Sequence, residues 1–172
     1  MLVYLDNVIA SGKVIADLKP KMEMRAVRTL EKLQSVGKLR LVTSREAWRE
    51  QERTRDATKR AQFRRARGAV AAIQDDHQVV GFAVAQDELG GYIASPLVTD
   101  ITDEALFADL KALGLKDADA RHLMYAARNG CDRFITLDPD FLTRRSLLEA
   151  RCGTIRIAKP SELVAELTSS TP

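Results

Sequence analysis

The chain opens on a continuous apolar run, Leu2-Val3-Tyr4-Leu5, that Asp6 ends; such a run reads as a short strand covered on both faces. A helical period follows from Ala16 to Val36, with Met22, Ala26, Leu30 and Leu33 along one face, Pro20 near its start and Gly37 as its C-cap. Leu39 to Val42 reads as a second strand, after which Thr43 or Ser44 caps one long helix from Arg45 towards Gly68 or beyond. From His77 to Val98 the pattern changes: Val79, Val80, Phe82 and Val84, then Gly90-Gly91, then Tyr92 and Ile93, predict two strands joined by a turn, with Pro96 closing the stretch. Helical periods return at Thr102–Leu113, ended by Gly114, and at Asp117–Arg128, ended by Asn129-Gly130. Arg133 to Leu137 reads as a strand, followed by a loop carrying Asp138 and a helix through Leu147. Thr154 to Ile157 is a last strand, and Pro160 opens a terminal helix to Leu167.

Strands alternating with helices predict an α/β protein, a three-layer α/β/α sandwich around a mainly parallel sheet. With 172 residues the chain is expected to be one domain over its whole length, carrying a β-rich insertion at about residues 77–98. That length buries a core without staples, and Cys131 and Cys152 lack metal-ligand spacing, so a reducing, cytoplasmic setting is expected. No apolar stretch approaches 18 residues, which predicts no membrane span. The net charge of +3 is small but uneven: Arg45 to Arg67 holds nine basic and four acidic residues. Such a patch suits a nucleic-acid backbone, and equally suits a solvated helix laced with ion pairs.

Chain direction makes a sharper expectation. In a strand-helix-strand unit the helix runs back antiparallel to the strands. Helices that leave a strand, or feed the next one, therefore begin at the sheet's carboxyl edge. Asp6 and Asp138 each follow a strand; Glu50 lies early in the helix after Val42, and Asp119 in the first turn of the helix feeding Phe134. All four belong at the edge where α/β folds bind ligands. Singly, each has a structural reading: Asp119 caps a helix, Asp138 starts a turn before Pro139, and Glu50 is one charge on a wet helix. Together they repel, two carboxylates about 5 Å apart by roughly 3 kcal/mol at an effective dielectric of ~20. A hard divalent cation, Mg²⁺ or Mn²⁺, removes that repulsion and supports phosphodiester hydrolysis.

Two stretches carry a family likeness: Asp119-Ala120-Arg121-His122-Leu123, and Phe134-Ile135-Thr136-Leu137-Asp138-Pro139-Asp140-Phe141. Together with Val3-Tyr4-Leu5-Asp6-Asn7, with Ser44 followed by Glu50, and with Gly153-Thr154-Ile155-Arg156-Ile157 before Pro160, the chain resembles the PIN-domain nucleases, which include the toxin ribonucleases of toxin–antitoxin pairs. The resemblance covers most of the chain except roughly residues 68–100. It implies a metal-dependent endoribonuclease with Asp6, Glu50, Asp119 and Asp138 as metal-holding catalytic acids, Thr136 as a supporting hydroxyl and Asp140 as a secondary acid. It implies RNA as substrate, a small antitoxin as a partner, and a homodimer. The Ser/Thr usual between the family's first Asp and Asn is absent here, which leaves Asn7 as the polar substitute.

Arg49, Arg53 and Arg60 are the candidate phosphate contacts, with salt bridges to Glu46, Glu50 or Glu52 as the competing use. Glu46 shares a face with Glu50 and is the alternative ligand. His122, one turn from Asp119, is expected in the core or behind the acids rather than as the acid–base group; His77 carries no signal, and Trp48 is expected to pack. Two further readings stay open: a PIN-like binding module without catalysis, and a Toprim-type site on Asp138-Pro139-Asp140, which leaves Asp119 unexplained.

Overall fold

The structure is a computed structural model that describes residues 1–76, 79–86, 91–98 and 101–169. Its central sheet has five strands, all parallel: β1 (Leu2–Leu5), β2 (Arg40–Thr43), β3 (Ala71–Ala72), β6 (Arg133–Ile135) and β7 (Arg156–Ala158), in the order β3-β2-β1-β6-β7. The other two strands, β4 (Val79–Gln86) and β5 (Tyr92–Val98), form a separate antiparallel hairpin between β3 and the next helix. His77 and Gly90 lie outside the described residues. Among the described residues no helix is long and apolar enough to cross a membrane.

Side-chain alternation along each strand divides the core in two. Val3, Leu5, Leu41, Ile135 and Ala158 point to one face, under α1 (Asn7–Ile15), α2 (Lys21–Ser35) and α9 (Pro160–Ser169). Tyr4, Val42, Phe134 and Ile157 point to the other, under α5 (Glu104–Ala112), α6 (Asp117–Arg128) and α8 (Arg145–Cys152). Both faces are covered, which is why the strands read as unbroken apolar runs. The result is a three-layer α/β/α sandwich, as the alternating pattern predicts.

Several boundaries differ from the sequence expectation. The helix placed at Ala16–Val36 starts only at Lys21, as α2, and a helix that the sequence does not announce precedes it: α1 begins right after Asp6 and ends where Ala16 turns left-handed at φ 55°. The long helix expected from Arg45 is also two, α3 (Arg45–Glu52) and α4 (Ala57–Ala66), broken where the Asp56 side chain accepts from the Thr58 and Lys59 amides and starts a new helix. Ser44 stands at the N-cap position of α3 without a side-chain cap bond, its hydroxyl being used elsewhere. A further short helix, α7 (Pro139–Thr143), precedes α8. Pro96 sits inside β5 rather than closing it. By contrast α6 runs over the expected residues, and Gly37 and Gly130, at φ 74° and 67°, take the left-handed turn after α2 and α6 that glycine adopts without strain.

Candidate metal centre

Asp6 leaves the sheet at the end of β1 and caps α1, its Oδ1 accepting the Asn7 amide at 2.7 Å. The neighbouring strand is β6, paired as Leu5 with Ile135, so the next residue of each comes side by side: Thr136 Oγ1 donates to Asp6 Oδ2 at 2.6 Å. Thr136 is fully buried and also accepts the Asp138 amide at 3.0 Å. Asp138 in turn caps α7 through the Asp140 amide at 2.8 Å. One threonine thus ties the first acid of the chain to the loop that carries two more.

On the opposite side of β1 lies β2, which delivers Ser44 and α3. Glu50, on α3, accepts from His122 Nε2 at 2.8 Å, and His122 Nδ1 lies 2.6 Å from the Tyr4 hydroxyl, itself 2.7 Å from Ser44 Oγ. Tyr4, Ser44 and His122 are fully buried. His122 therefore stands behind the acids, orienting Glu50, as a core or supporting histidine does. Burial alone would lower its pKa, but the Glu50 hydrogen bond and the charges of Asp6, Glu50 and Glu46 outweigh that and raise it.

Asp119 stands in the first turn of α6, where Lys116 and not an acid holds the N-cap position. Carboxylate oxygens of Asp119, Asp138 and Asp140 lie within 4.8 Å of one another. Burial, then the charges of Asp138 and Glu50, raise the Asp119 pKa. Burial first, with Asp119 adding repulsion, pushes Asp6 up to about 6 despite His122, Thr136 and the Asn7 amide. Of the four acids expected to meet, Asp119 and Asp138 come together with Asp140 as the third carboxylate, while Glu50 acts on Asp119, and Asp119 on Asp6, through charge. Among the described residues no hydrogen bond or ion pair holds the Asp119 carboxylate. Asp140 differs, since Arg144 at 3.1 Å and Lys116 at 3.7 Å both pair with it.

The donor set suits a hard cation: oxygens only, three within 4.8 Å, with Asp119 raised in pKa by burial first and then by the charges of Asp138 and Glu50. Asp119 and Asp138 are the best-placed ligands, with Asp6 and Glu50 behind or beside them and Asp140 at the cationic rim. The Toprim reading loses ground here, because Asp119 joins the Asp138-Pro139-Asp140 pair instead of standing apart.

The basic residues are less concentrated on the site. Glu46 is buried and pairs with Arg49 at 3.7 Å, so Glu50 and not Glu46 is the α3 acid that reaches His122. Arg53 is exposed at the C-cap of α3, while Arg60 donates to the Thr54 carbonyl at 2.7 Å and braces the α3–α4 turn. Arg64 and Arg67 both pair with Glu52. Trp48 packs half-buried, with the Arg45 and Arg67 guanidinium groups 5.8 and 5.7 Å from its ring centroid.

Two parts of the site escape a sequence reading. Tyr4 reads only as an apolar strand residue, although a buried tyrosine needs a partner for its hydroxyl. The polar set Asn7, Ser11 and Gln51 carries no spacing signal, yet Ser11 Oγ donates to Asn7 Oδ1 at 2.7 Å and Gln51 Nε2 to both, at 3.3 Å to Asn7 and 3.2 Å to Ser11. Asn7 therefore faces a polar network beside Asp6. No family model, no curated protein and no solved structure matches this chain.

Proposed function

We propose that this chain is a Mg²⁺- or Mn²⁺-dependent endoribonuclease of the PIN type, and that its biological setting is that of a toxin restrained by a small antitoxin. The observation that carries the reading is the convergence of Asp119 and Asp138, with Asp140 as a third carboxylate within 4.8 Å; burial first, and then neighbouring acids, raise the pKa of Asp119 and of nearby Asp6. A divalent cation held there supplies Lewis acidity towards a scissile phosphate and a nucleophilic water near neutral pH. Asp119 and Asp138 would hold it, Thr136 fixes the orientation of Asp6, and His122 fixes that of Glu50. Arg49, exposed on the helix that carries Glu50, and Arg53, exposed at its C-cap, would meet the phosphate backbone, where such contacts position rather than specify.

A second reading, a nucleic-acid-binding module without catalysis, draws on the two cations that already pair with Asp140 and on the excess of basic residues from Arg45 to Arg67. Incubation with end-labelled single-stranded RNA separates the two. Cleavage is expected with Mg²⁺ or Mn²⁺ and its complete loss with EDTA. Cleavage indifferent to EDTA, or salt-sensitive binding with no cleavage under any metal, would count against the nuclease.

A further inference from the structure

The hairpin of β4 and β5 is the feature that the acidic site leaves unexplained. Neither strand contains a charged residue. Phe82, Val84 and Tyr92 are 64, 65 and 77% exposed, and every side chain from Phe82 to Gln86 is exposed, so over that stretch both faces of β4 are uncovered. Among the described residues its densest packing is of one strand against the other. A two-stranded hairpin alone is marginally stable in water, and proteins rarely leave a flat, uncharged edge open because it templates further strand pairing. Among the described residues no strand pairs with the outer edge of β4. The β5 edge is the poorer template, since Pro96 lacks an N–H.

The order of residues in β4 says what fits that edge. Gly81-Phe82-Ala83-Val84-Ala85 alternates small and large symmetrically about Ala83. Set antiparallel to a second copy about a two-fold axis through Ala83, Phe82 of one chain meets Val84 of the other, twice, on one face. Ala83 meets Ala83, and Gly81 meets Ala85, on the other. Aromatic with β-branched is a favourable cross-strand pair, and no charges are opposed. An acidic nucleic acid or a charged peptide finds no complementary charge on this ribbon. The bulge between Val79 and Gly81 confines the regular ladder to this same stretch.

We infer that β4 is the self-association edge of the protein: two copies join β4 to β4 as one four-stranded antiparallel sheet, β5-β4-β4-β5, through an isologous two-fold contact. This does not depend on the reading of the acidic site.

Light scattering coupled to size exclusion, over a concentration series, tests it. The wild-type chain is expected to move to twice its 19.1 kDa mass. Val84→Lys places like charges across the axis beside Phe82 and is expected to return the chain to one mass with unchanged circular dichroism. In a Cys152→Ser background, Ala83→Cys is expected to cross-link two chains under mild oxidation, because that position faces itself, and Gln86→Cys is not. A wild-type chain that stays monomeric at every concentration leaves the hairpin to a different partner and overturns the inference, as does a dimer that Val84→Lys leaves intact.

Discussion

Asp119→Asn is expected to lower metal-dependent RNA cleavage by at least about a thousandfold, while the thermal midpoint stays level or rises. The two effects separate because Asp119 is held by no hydrogen bond or ion pair among the described residues, and its charge is opposed by Asp138 and Glu50. Removing that charge relieves repulsion, worth no more than about 1 kcal/mol once solvent screening of a half-buried group is allowed for. The amide keeps the shape of the side chain but is a poor ligand for a hard cation. Asp6→Asn is a less clean substitution, since both Asp6 oxygens accept hydrogen bonds, from the Asn7 amide and from Thr136. Cleavage rates and melting curves of wild type and Asp119→Asn, measured side by side, check this; a variant that cuts at the wild-type rate would remove Asp119 from the chemistry.

The second large effect is a dependence of stability on pH that a cation reverses. Buried Asp6 titrates at about 6 in the folded chain against 3.8 when unfolded, so the folded state holds a proton that the unfolded state releases. Without cation, stability should therefore fall as pH rises from about 4 to 6, by ~3 kcal/mol from this residue. Asp119 acts in the same direction, and so does His122: its raised pKa contributes stability below its unfolded value that is lost as pH rises through the folded one. Glu52 has the opposite sign, held at about 2 by Arg64 and Arg67, but its contribution is complete above the unfolded value of 4.5 and leaves the upper part of the window clear. At pH 7.5 Mn²⁺ at about 100 times its dissociation constant should add ~2.7 kcal/mol, a rise of roughly 5–10 °C in the thermal midpoint for a chain of this size. At pH 4.5 the same Mn²⁺ must displace protons and should do little. Scanning calorimetry at the two pH values, with and without Mn²⁺, gives all four numbers. Equal cation shifts at both would mean that these carboxylates are not what the ion meets.

What the sequence makes legible here is what depends on local periodicity and chain direction. The bounds of α6, the strand before Asp138 and the meeting of Asp119 with Asp138 follow from runs of apolar residues and from helices returning antiparallel. The missed helix α1 has a physical reason. Val8, Ile9 and Gly12 read against a helix, yet Gly12 is needed because a Cβ there would meet Leu18 Cδ2 at 2.5 Å. The break between α3 and α4 is hidden because Arg53-Thr54-Arg55-Asp56 contains neither Gly nor Pro and continues the polar run on both sides. The two-residue strand β3 is too short for any period. Which strands are neighbours is not local at all: that β6 lies beside β1, and so sets Thr136 against Asp6, follows only from the assembled sheet. The buried relay from Ser44 through Tyr4 and His122 to Glu50 depends on the same pairing, and nothing in the spacing of those residues announces it.

All of this turns on whether mutually repelling carboxylates exist to hold an ion. Titration of the purified chain with Mn²⁺, followed by the loss of the free-ion electron paramagnetic resonance signal, asks that question without reference to any substrate. The expected result is saturable binding at pH 7.5 that Asp119→Asn abolishes and that Mg²⁺ competes away. Mn²⁺ that stays free in solution, or binds the Asp119→Asn chain as well as the wild type, would contradict it.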